Sequence, residues 1–434
     1  MILIRIAAWA AIFCLQTAAI FCAAAEVEKP QEKSQPYHIQ HAWLMQPGVS
    51  AAEVRRKAGN DLLLYPAAIY GNRHPHELAQ FTARFEPAAK PRPFLDARRP
   101  LPDEAREWLE ASHTDALVAI RDGRIIYEYY APGMTSESIH MMFSCGKGWT
   151  SLAWSPHLKE SQLEQKMEAV IAPLRGTPIG AATARQVLDM QTDLDYELSF
   201  DERGAATGLL ADAHRVSGFG YPDRALPLGW APFLRKLPGK PAGHGKVWRY
   251  VDGNPYAFAL FAKETTGLRE LDVWQSAIDG LGFEQRSVAV MNAAGELSSA
   301  GGFATTARDL AKVGQVFLDT GKVGDQQVFP EDFFRSIFAH KSPHLPAAAP
   351  PFTGYRSYWR RLEGRFLIPI DQVWGVGFYG QYLVVDRPSR TVVVKFSTYP
   401  RGIDPPDQMD SGYFARDVKM LVPFAMGVPA ASSK

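Results

Sequence analysis

The chain has 434 residues, 46% hydrophobic and 12% aromatic, enough apolar material for one large core or two moderate ones. Its 47 Lys and Arg stand against 46 Asp and Glu, with no long block of one sign, which excludes a field built to attract nucleic acid or an anionic membrane. Of three cysteines, two fall in the first 25 residues, so no internal disulfide is expected once those are removed.

Residues 1–25 read as a cleavable secretory signal. Arg5 supplies the basic end, Ile6 to Phe21 is apolar, and Ala23-Ala24-Ala25 offers a small-residue cleavage site before Glu26. A retained membrane anchor is the alternative, but the apolar run is short for a span. Phe21 before Cys22 is too large for a lipoprotein site. A periplasmic or secreted mature protein follows, without stable membrane insertion. Residues 26–101 read as an N-terminal extension and linker: a polar tether to about residue 40, an apolar stretch to Phe85 with a helix start at Val54 to Ala58, then the proline-rich run Glu86 to Pro93. His74, His76 and Glu77 mimic the start of a metallo-hydrolase ligand set, but the further Asp and His such a site needs are missing nearby. No metal or cofactor is expected.

The main domain is expected over 102–434. Ala116 to Ile120 and Arg124 to Tyr130 are strand-like runs joined by Arg121-Asp122-Gly123, and Asp-Gly is a strong hairpin signal. From about 160 to 290 the pattern is helical, with apolar spacing in Leu163 to Leu174, Ala182 to Met190 and Tyr256 to Lys263. Lys341 to Phe352, rich in Pro and Ala, reads as a surface loop. Strands return at Gln381 to Asp386 and Thr391 to Ser397, followed by a helix from about Ser411 to Phe424. The expected fold is α/β of the α+β kind: an antiparallel sheet built from both ends of the domain, flanked by helices, with an all-helical insert.

The chemistry is concentrated at Ser144-Cys145-Gly146-Lys147. A Ser and a Lys three apart share one face of a helical turn, which sets a weak hydroxyl nucleophile beside an amine. That amine can accept a proton only if its pKa is depressed, and burial beside Trp149 and Leu152 is the expected cause, giving a neutral Lys147. Cys145 would point about 100° around the helix from Lys147, so it reads as a packing thiol. His140 reads as a loop residue. Asp193, Asp195 and Glu197 read as a solvated acidic loop, with selection of a substrate amine as the sharper alternative.

Three further segments follow in order: Trp248-Arg249-Tyr250-Val251-Asp252-Gly253-Asn254, Ser298 to Ala311 with its Gly301-Gly302, and Gly375-Val376-Gly377-Phe378-Tyr379-Gly380-Gln381. With Asp122 to Ile125, Tyr130 to Met134 and Val187 to Met190, they resemble the serine β-lactamase and penicillin-binding superfamily over roughly residues 105–425. Within it they resemble the class C β-lactamase-like esterases and 6-aminohexanoate-dimer hydrolases. The resemblance implies Ser144 as nucleophile, Lys147 as its base and Tyr250 as the residue relaying a proton to the leaving group. It places the oxyanion hole at the backbone N–H groups of Ser144 and Phe378, among the largest contributors to acyl transfer. Asn254, Gly377 and Tyr379 are the further substrate-binding candidates; Asn254 lies farther from the tyrosine than the usual tyrosine-x-asparagine.

Where β-lactamases carry Lys-Thr-Gly, this chain has Gly375-Val376-Gly377, so the cation and hydroxyl that hold a β-lactam carboxylate are absent there. The reading is a serine hydrolase acting through an acyl-enzyme on a small ester, amide or short peptide, with no nucleic-acid partner. The rivals are a catalytically silent relative that binds envelope components and a peptidoglycan D-alanyl peptidase.

Overall fold

The computed structural model describes residues 82–199, 207–217, 229–292, 294–342, 351–364, 370–399 and 412–427. The expected signal, the tether and the His74 to Glu77 cluster lie outside them, as does most of the expected 341–352 loop. In chain order the strands are β1 (Thr82–Phe85), β2 (Leu95–Asp96), β3 (Thr114–Arg121), β4 (Arg124–Tyr130), β5 (His140–Met141), β6 (Ser287–Val290), β7 (Phe303–Thr305), β8 (Lys322–Val323), β9 (Gln326–Gln327), β10 (Gly354–Arg356), β11 (Trp359–Glu363), β12 (Asp371–Gly377), β13 (Gln381–Asp386) and β14 (Thr391–Ser397). The α-helices are α1 (Asp103–Ala111), α2 (Cys145–Trp154), α3 (Glu160–Leu163), α4 (Met167–Val170), α5 (Ala184–Leu188), α6 (Gly208–Val216), α7 (Trp230–Leu234), α8 (Gly253–Thr266), α9 (Glu270–Leu281), α10 (Ala307–Leu318), α11 (Glu331–Ala339) and α12 (Tyr413–Met426).

The main sheet runs β10-β11-β12-β13-β14-β3-β4-β2. Its centre is the antiparallel pairing of β14 with β3, from Thr391 opposite Arg121 to Phe396 opposite Ala116. The two ends of the domain therefore meet in one sheet, as the strand-like runs imply. The β3–β4 turn has Arg121 paired with Arg124, and Asp122 and Gly123 carry φ of +49° and +72°. That is the left-handed pair a two-residue hairpin demands. Both faces of the sheet are covered, so Leu383-Val384-Val385 and Val392-Val393-Val394 are continuous apolar runs and fully buried. On one face lies the larger core with α2 and α10; on the other, Trp108 and Leu109 of α1 and Leu421 and Ala425 of α12 close a second core.

Residues 82–96 are part of this body: the extension to Phe85 packs on the main domain as expected of it, and the proline-rich run expected as a linker is fastened to it as well. β1 pairs antiparallel with β6, and β2 pairs parallel with β4. Phe85 is buried in the larger core, and the amides of Ala88 and Arg92 donate to the carbonyls of Phe283 and Gly282. The prolines break regular structure there, yet the apolar side chains between them still gain by burial. The helical insert ends at α9; the stretch Ser287–Val290, expected inside it, is β6 of a second sheet ordered β1-β6-β7-β5.

Candidate active site

The approach to Ser144 is a sharp turn. β5 leads into Phe143, whose φ of +45° is uncommon for a bulky residue. The Phe143 ring packs against Tyr379 with centroids 5.2 Å apart, which holds that conformation. Ser144 then forms the N-cap of α2, a helix buried at every residue. Lys147 follows one turn on, 1% exposed, and its Nζ donates to Ser144 Oγ at 2.9 Å and to the Ala300 carbonyl at 2.9 Å. The helix is fastened from both sides: Thr150 Oγ1 donates to the Ser299 carbonyl at 2.8 Å and Ser151 Oγ to that of Ser357 at 2.7 Å.

The protonation state of Lys147 differs from the expectation. Burial alone would push its pKa down, but Asp252 Oδ1 lies 2.7 Å from Nζ and, with charge and hydrogen-bond contributions from Tyr250, turns the net direction upward. The carboxylate at 2.7 Å thus favours the ammonium form of the amine over the neutral one. Asp252 was missed by the sequence reading, although its position carries a signal: it stands two residues after Tyr250, where the resemblance puts an asparagine. A carboxylate there gives Lys147 a counter-ion.

Tyr250 joins this pair, as its ring centroid lies 4.8 Å from Lys147 Nζ. Its segment is clamped onto the 188–193 stretch. The Arg249 amide donates to the Met190 carbonyl at 2.8 Å, the Val251 amide approaches Met190 Sδ at 3.4 Å, and Arg249 Nε pairs with Asp193 Oδ1 at 2.9 Å. A second cation, the Arg360 guanidinium from β11, lies 5.5 Å from the same Tyr250 centroid.

β12 runs along the other side of Ser144. A Cβ on Gly377 would sit 2.3 Å from the Met142 carbonyl oxygen and 3.2 Å from the Ser144 amide nitrogen, so a side chain there would obstruct the amide end of α2. Phe378 is the next residue, in the turn to β13, with its ring packed on the Ile139 to Phe143 cluster. The backbone candidates Ser144, Gly377 and Phe378 are thus adjacent.

Other candidates have different places. Asn254 is fully buried in the first turn of α8, where Oδ1 accepts from Thr192 Oγ1 at 3.0 Å and Nδ2 contacts Met190 Sδ at 3.3 Å. Its amide is committed to the core, so it is withdrawn from the substrate-binding set. Tyr379 is withdrawn too: it is 5% exposed and its ring packs on Phe143, where it supports the turn. His140 is a buried strand residue, with Nε2 3.1 Å from Asp115 Oδ2 and its ring stacked on Phe396 at 4.8 Å. Asp193 is no solvated acid, since Arg249 and the Gly243 amide occupy it, and Asp195 pairs with Lys240 at 2.8 Å. Selection of an amine by Asp193 or Asp195 loses its basis, while Glu197 is exposed. Cys145 is buried, its Sγ donates to the Gln381 carbonyl at 3.4 Å, and burial pushes its pKa up to about 12. Such a thiol is inert packing. Among the described residues no group of three His, Cys, Asp or Glu side chains is placed to hold a metal ion.

A buried Ser-Lys pair with a tyrosine across it, at the end of an antiparallel sheet, defines an acyl-transfer class of site. No family model matches the sequence. Over 346 residues the chain is 25% identical to the 6-aminohexanoate-dimer hydrolase of Paenarthrobacter ureafaciens, covering 78% of this chain and 83% of that protein. A Bacillus anthracis structure provisionally described as a 6-aminohexanoate-dimer hydrolase matches with TM-score 0.72 at 21% identity, covering 93% of this chain and 100% of the other. The octameric penicillin-binding protein homologue from Pyrococcus abyssi matches with TM-score 0.52 at 16% identity, over 75% of this chain and 79% of that one. The chain is thus similar in sequence to a 6-aminohexanoate-dimer hydrolase and shares its fold with these solved structures.

Proposed function

We propose that the protein is a secreted serine hydrolase that cleaves an ester or amide bond through an acyl-enzyme on Ser144. The observation that carries this reading is the position of Lys147 Nζ, 2.9 Å from Ser144 Oγ and beside the Tyr250 ring. Lys147 keeps its proton. It stabilises negative charge as Ser144 Oγ attacks the carbonyl, in a setting too buried for water to screen it fully. The Ser144 proton passes to the Tyr250 hydroxyl as that hydroxyl gives its own proton to the departing amine or alcohol, so charge and protons balance. The backbone N–H groups of Ser144 and Phe378 receive the oxyanion. In deacylation the relay runs backwards: water loses a proton to Tyr250, Tyr250 returns one to Ser144, and the acid leaves.

Secretion rests on Arg5, the apolar run to Phe21 and the Ala23-Ala24-Ala25 site. No helix among the described residues is long and apolar enough to cross a membrane. Intact mass of the exported protein is expected to correspond to a chain starting near Glu26. The activity is tested with short-chain p-nitrophenyl esters. Ser144→Ala is expected to lower turnover by at least roughly 10³-fold; a variant that retains wild-type turnover defeats the assignment.

A further inference from the structure

A cavity of about 280 Å³ opens where α7, α8 and the start of α9 meet the 295–297 stretch. None of the residues assigned to acyl transfer lines it. Its walls are mostly apolar: Leu260, Leu271 and Leu297 form one part, and the stacked rings of Trp230 and Tyr256, with centroids 3.3 Å apart, form another. Two acids, Glu270 and Glu296, line the same space.

Neutral donors hold both acids in place. Glu270 Oε1 accepts from Ser299 Oγ at 2.8 Å, and Glu296 Oε2 accepts from the Trp230 amide at 2.8 Å and from Asn292 Nδ2 at 2.8 Å. The cations at the rim leave them uncompensated. Arg269 pairs with Asp272 at 2.8 Å, and Lys263 is exposed and joins neither acid in an ion pair among the described residues. A carboxyl set in an apolar wall without a cation takes up a proton instead. Burial, with the Glu296 charge adding to it against the pull of the Ser299 hydroxyl, pushes the Glu270 carboxyl up to about 8. At neutral pH that proton occupies the place of a missing counter-ion.

We infer that this cavity is a second binding site, for a short primary alkylammonium whose head lies between Glu270 and Glu296 and whose chain packs on the leucines. An ammonium head brings three N–H donors and a charge, which suits two carboxyls held only by neutral groups. The aromatic pair beside them favours a cation over an anion. The volume falls just under the roughly 300–1,000 Å³ usual for ligand pockets, so the ligand is small. Binding is linked to protons: the ammonium stays charged, and Glu270 gives up its proton to the buffer. Affinity therefore rises with pH to about 8, where Glu270 is ionised without the ligand, and levels off above it.

Calorimetry on the full-length wild-type protein tests the site with n-butylammonium chloride and its neutral counterpart, n-butanol. The ammonium is expected to bind at least roughly tenfold more tightly than the alcohol, as for a hydrogen-bonded charged group. Its affinity is expected to be about tenfold higher at pH 7 than at pH 6, with heats that follow the protonation enthalpy of the buffer. Glu270→Gln is expected to abolish the pH dependence, and Glu270→Gln combined with Glu296→Gln to abolish the preference for the ammonium, in proteins whose folding is checked by a circular dichroism melt. Equal binding of ammonium and alcohol, an affinity that is flat between pH 6 and pH 7, or a preference that survives the double substitution overturns the site. Binding that appears only in Lys263→Ala overturns it too, since the lysine would then be the cavity's own cation. The comparison of ammonium with alcohol in the wild-type protein decides the matter even if the glutamine variants do not fold. Ester turnover enters none of these readings, so the nucleophile at Ser144 and this site stand or fall separately.

Discussion

An ammonium buried beside a serine hydroxyl needs a counter-ion, and at 2.7 Å from Lys147 Nζ that role falls to Asp252. Its effect on pH dependence has a definite sign. Because the Lys147 pKa is raised above its ordinary 10.5, the charged form persists to higher pH than in a free lysine. Activity that depends on the ammonium is therefore present through neutral and mildly alkaline pH and is lost only as pH climbs through that raised value. Asp252→Asn removes the main upward influence and leaves burial acting alone, so the alkaline limb of the kcat/KM profile is expected to move down by about 1–3 pH units. A rise in activity of Asp252→Asn above wild type near pH 8 would show instead that a neutral lysine does the work. Asp252 was within reach of the sequence, two residues from a tyrosine already singled out. What the sequence could not supply is the distance from its carboxylate to an amine on another helix, and that distance decides the protonation state.

At the scale of elements, β12 has to lie flush against the start of α2, and Gly377 permits it. A Cβ there would come within 2.3 Å of the Met142 carbonyl oxygen, so either the strand or the Ser144 turn must shift. Gly377→Ala is expected to lower kcat by roughly 10²-fold or more, as for loss of an oxyanion donor, while the protein still folds. Steady-state kinetics and a circular dichroism melt check both halves; wild-type kcat in a folded variant contradicts the role given to this strand. The β3–β4 hairpin, β13, β14 and α12 were legible because their signals are local: an Asp-Gly turn, runs of Val, and an amphipathic spacing. The β10–β11 hairpin was not. Its turn puts Ser357 and Tyr358 in the left-handed region, where Gly or Asn gives the usual signal, and it is held there by Asp189 from far away in sequence. β5 and β7, of two and three residues, are too short to carry a periodicity.

At the scale of the whole molecule, the union of the two chain ends rests partly on a buried ion pair. Lys395 of β14 and Asp417 of α12 are both fully buried, 2.7 Å apart, and Asp417 also accepts from Trp108 Nε1 of α1 at 2.7 Å and from the Tyr399 hydroxyl. Burial drives the Lys395 pKa down against the pull of Asp417. Asp417→Ala leaves the Lys395 amine buried between the sheet and its helical cover without its counter-ion, and a loss of about 3–5 kcal/mol in urea unfolding is expected. A loss under about 1 kcal/mol would mean that packing alone holds α12 in place. The sequence announced one sheet made from both termini, but not that residues 95–96 form its far edge strand while residues 82–85 form an edge of the second sheet. Those residues sit among prolines, whose local message is a linker, and only Phe85 in the core and the β1–β6 pairing say otherwise.

The proposed chemistry requires a covalent intermediate on the oxygen that Lys147 and Tyr250 surround. Quenching the enzyme in acid during turnover of a slowly released p-nitrophenyl ester, then mapping peptides by mass spectrometry, tests it most directly. One added acyl group is expected on Ser144, absent from Ser144→Ala and from Lys147→Met. An acyl group on any other side chain, or steady turnover with Ser144 never modified, would contradict it.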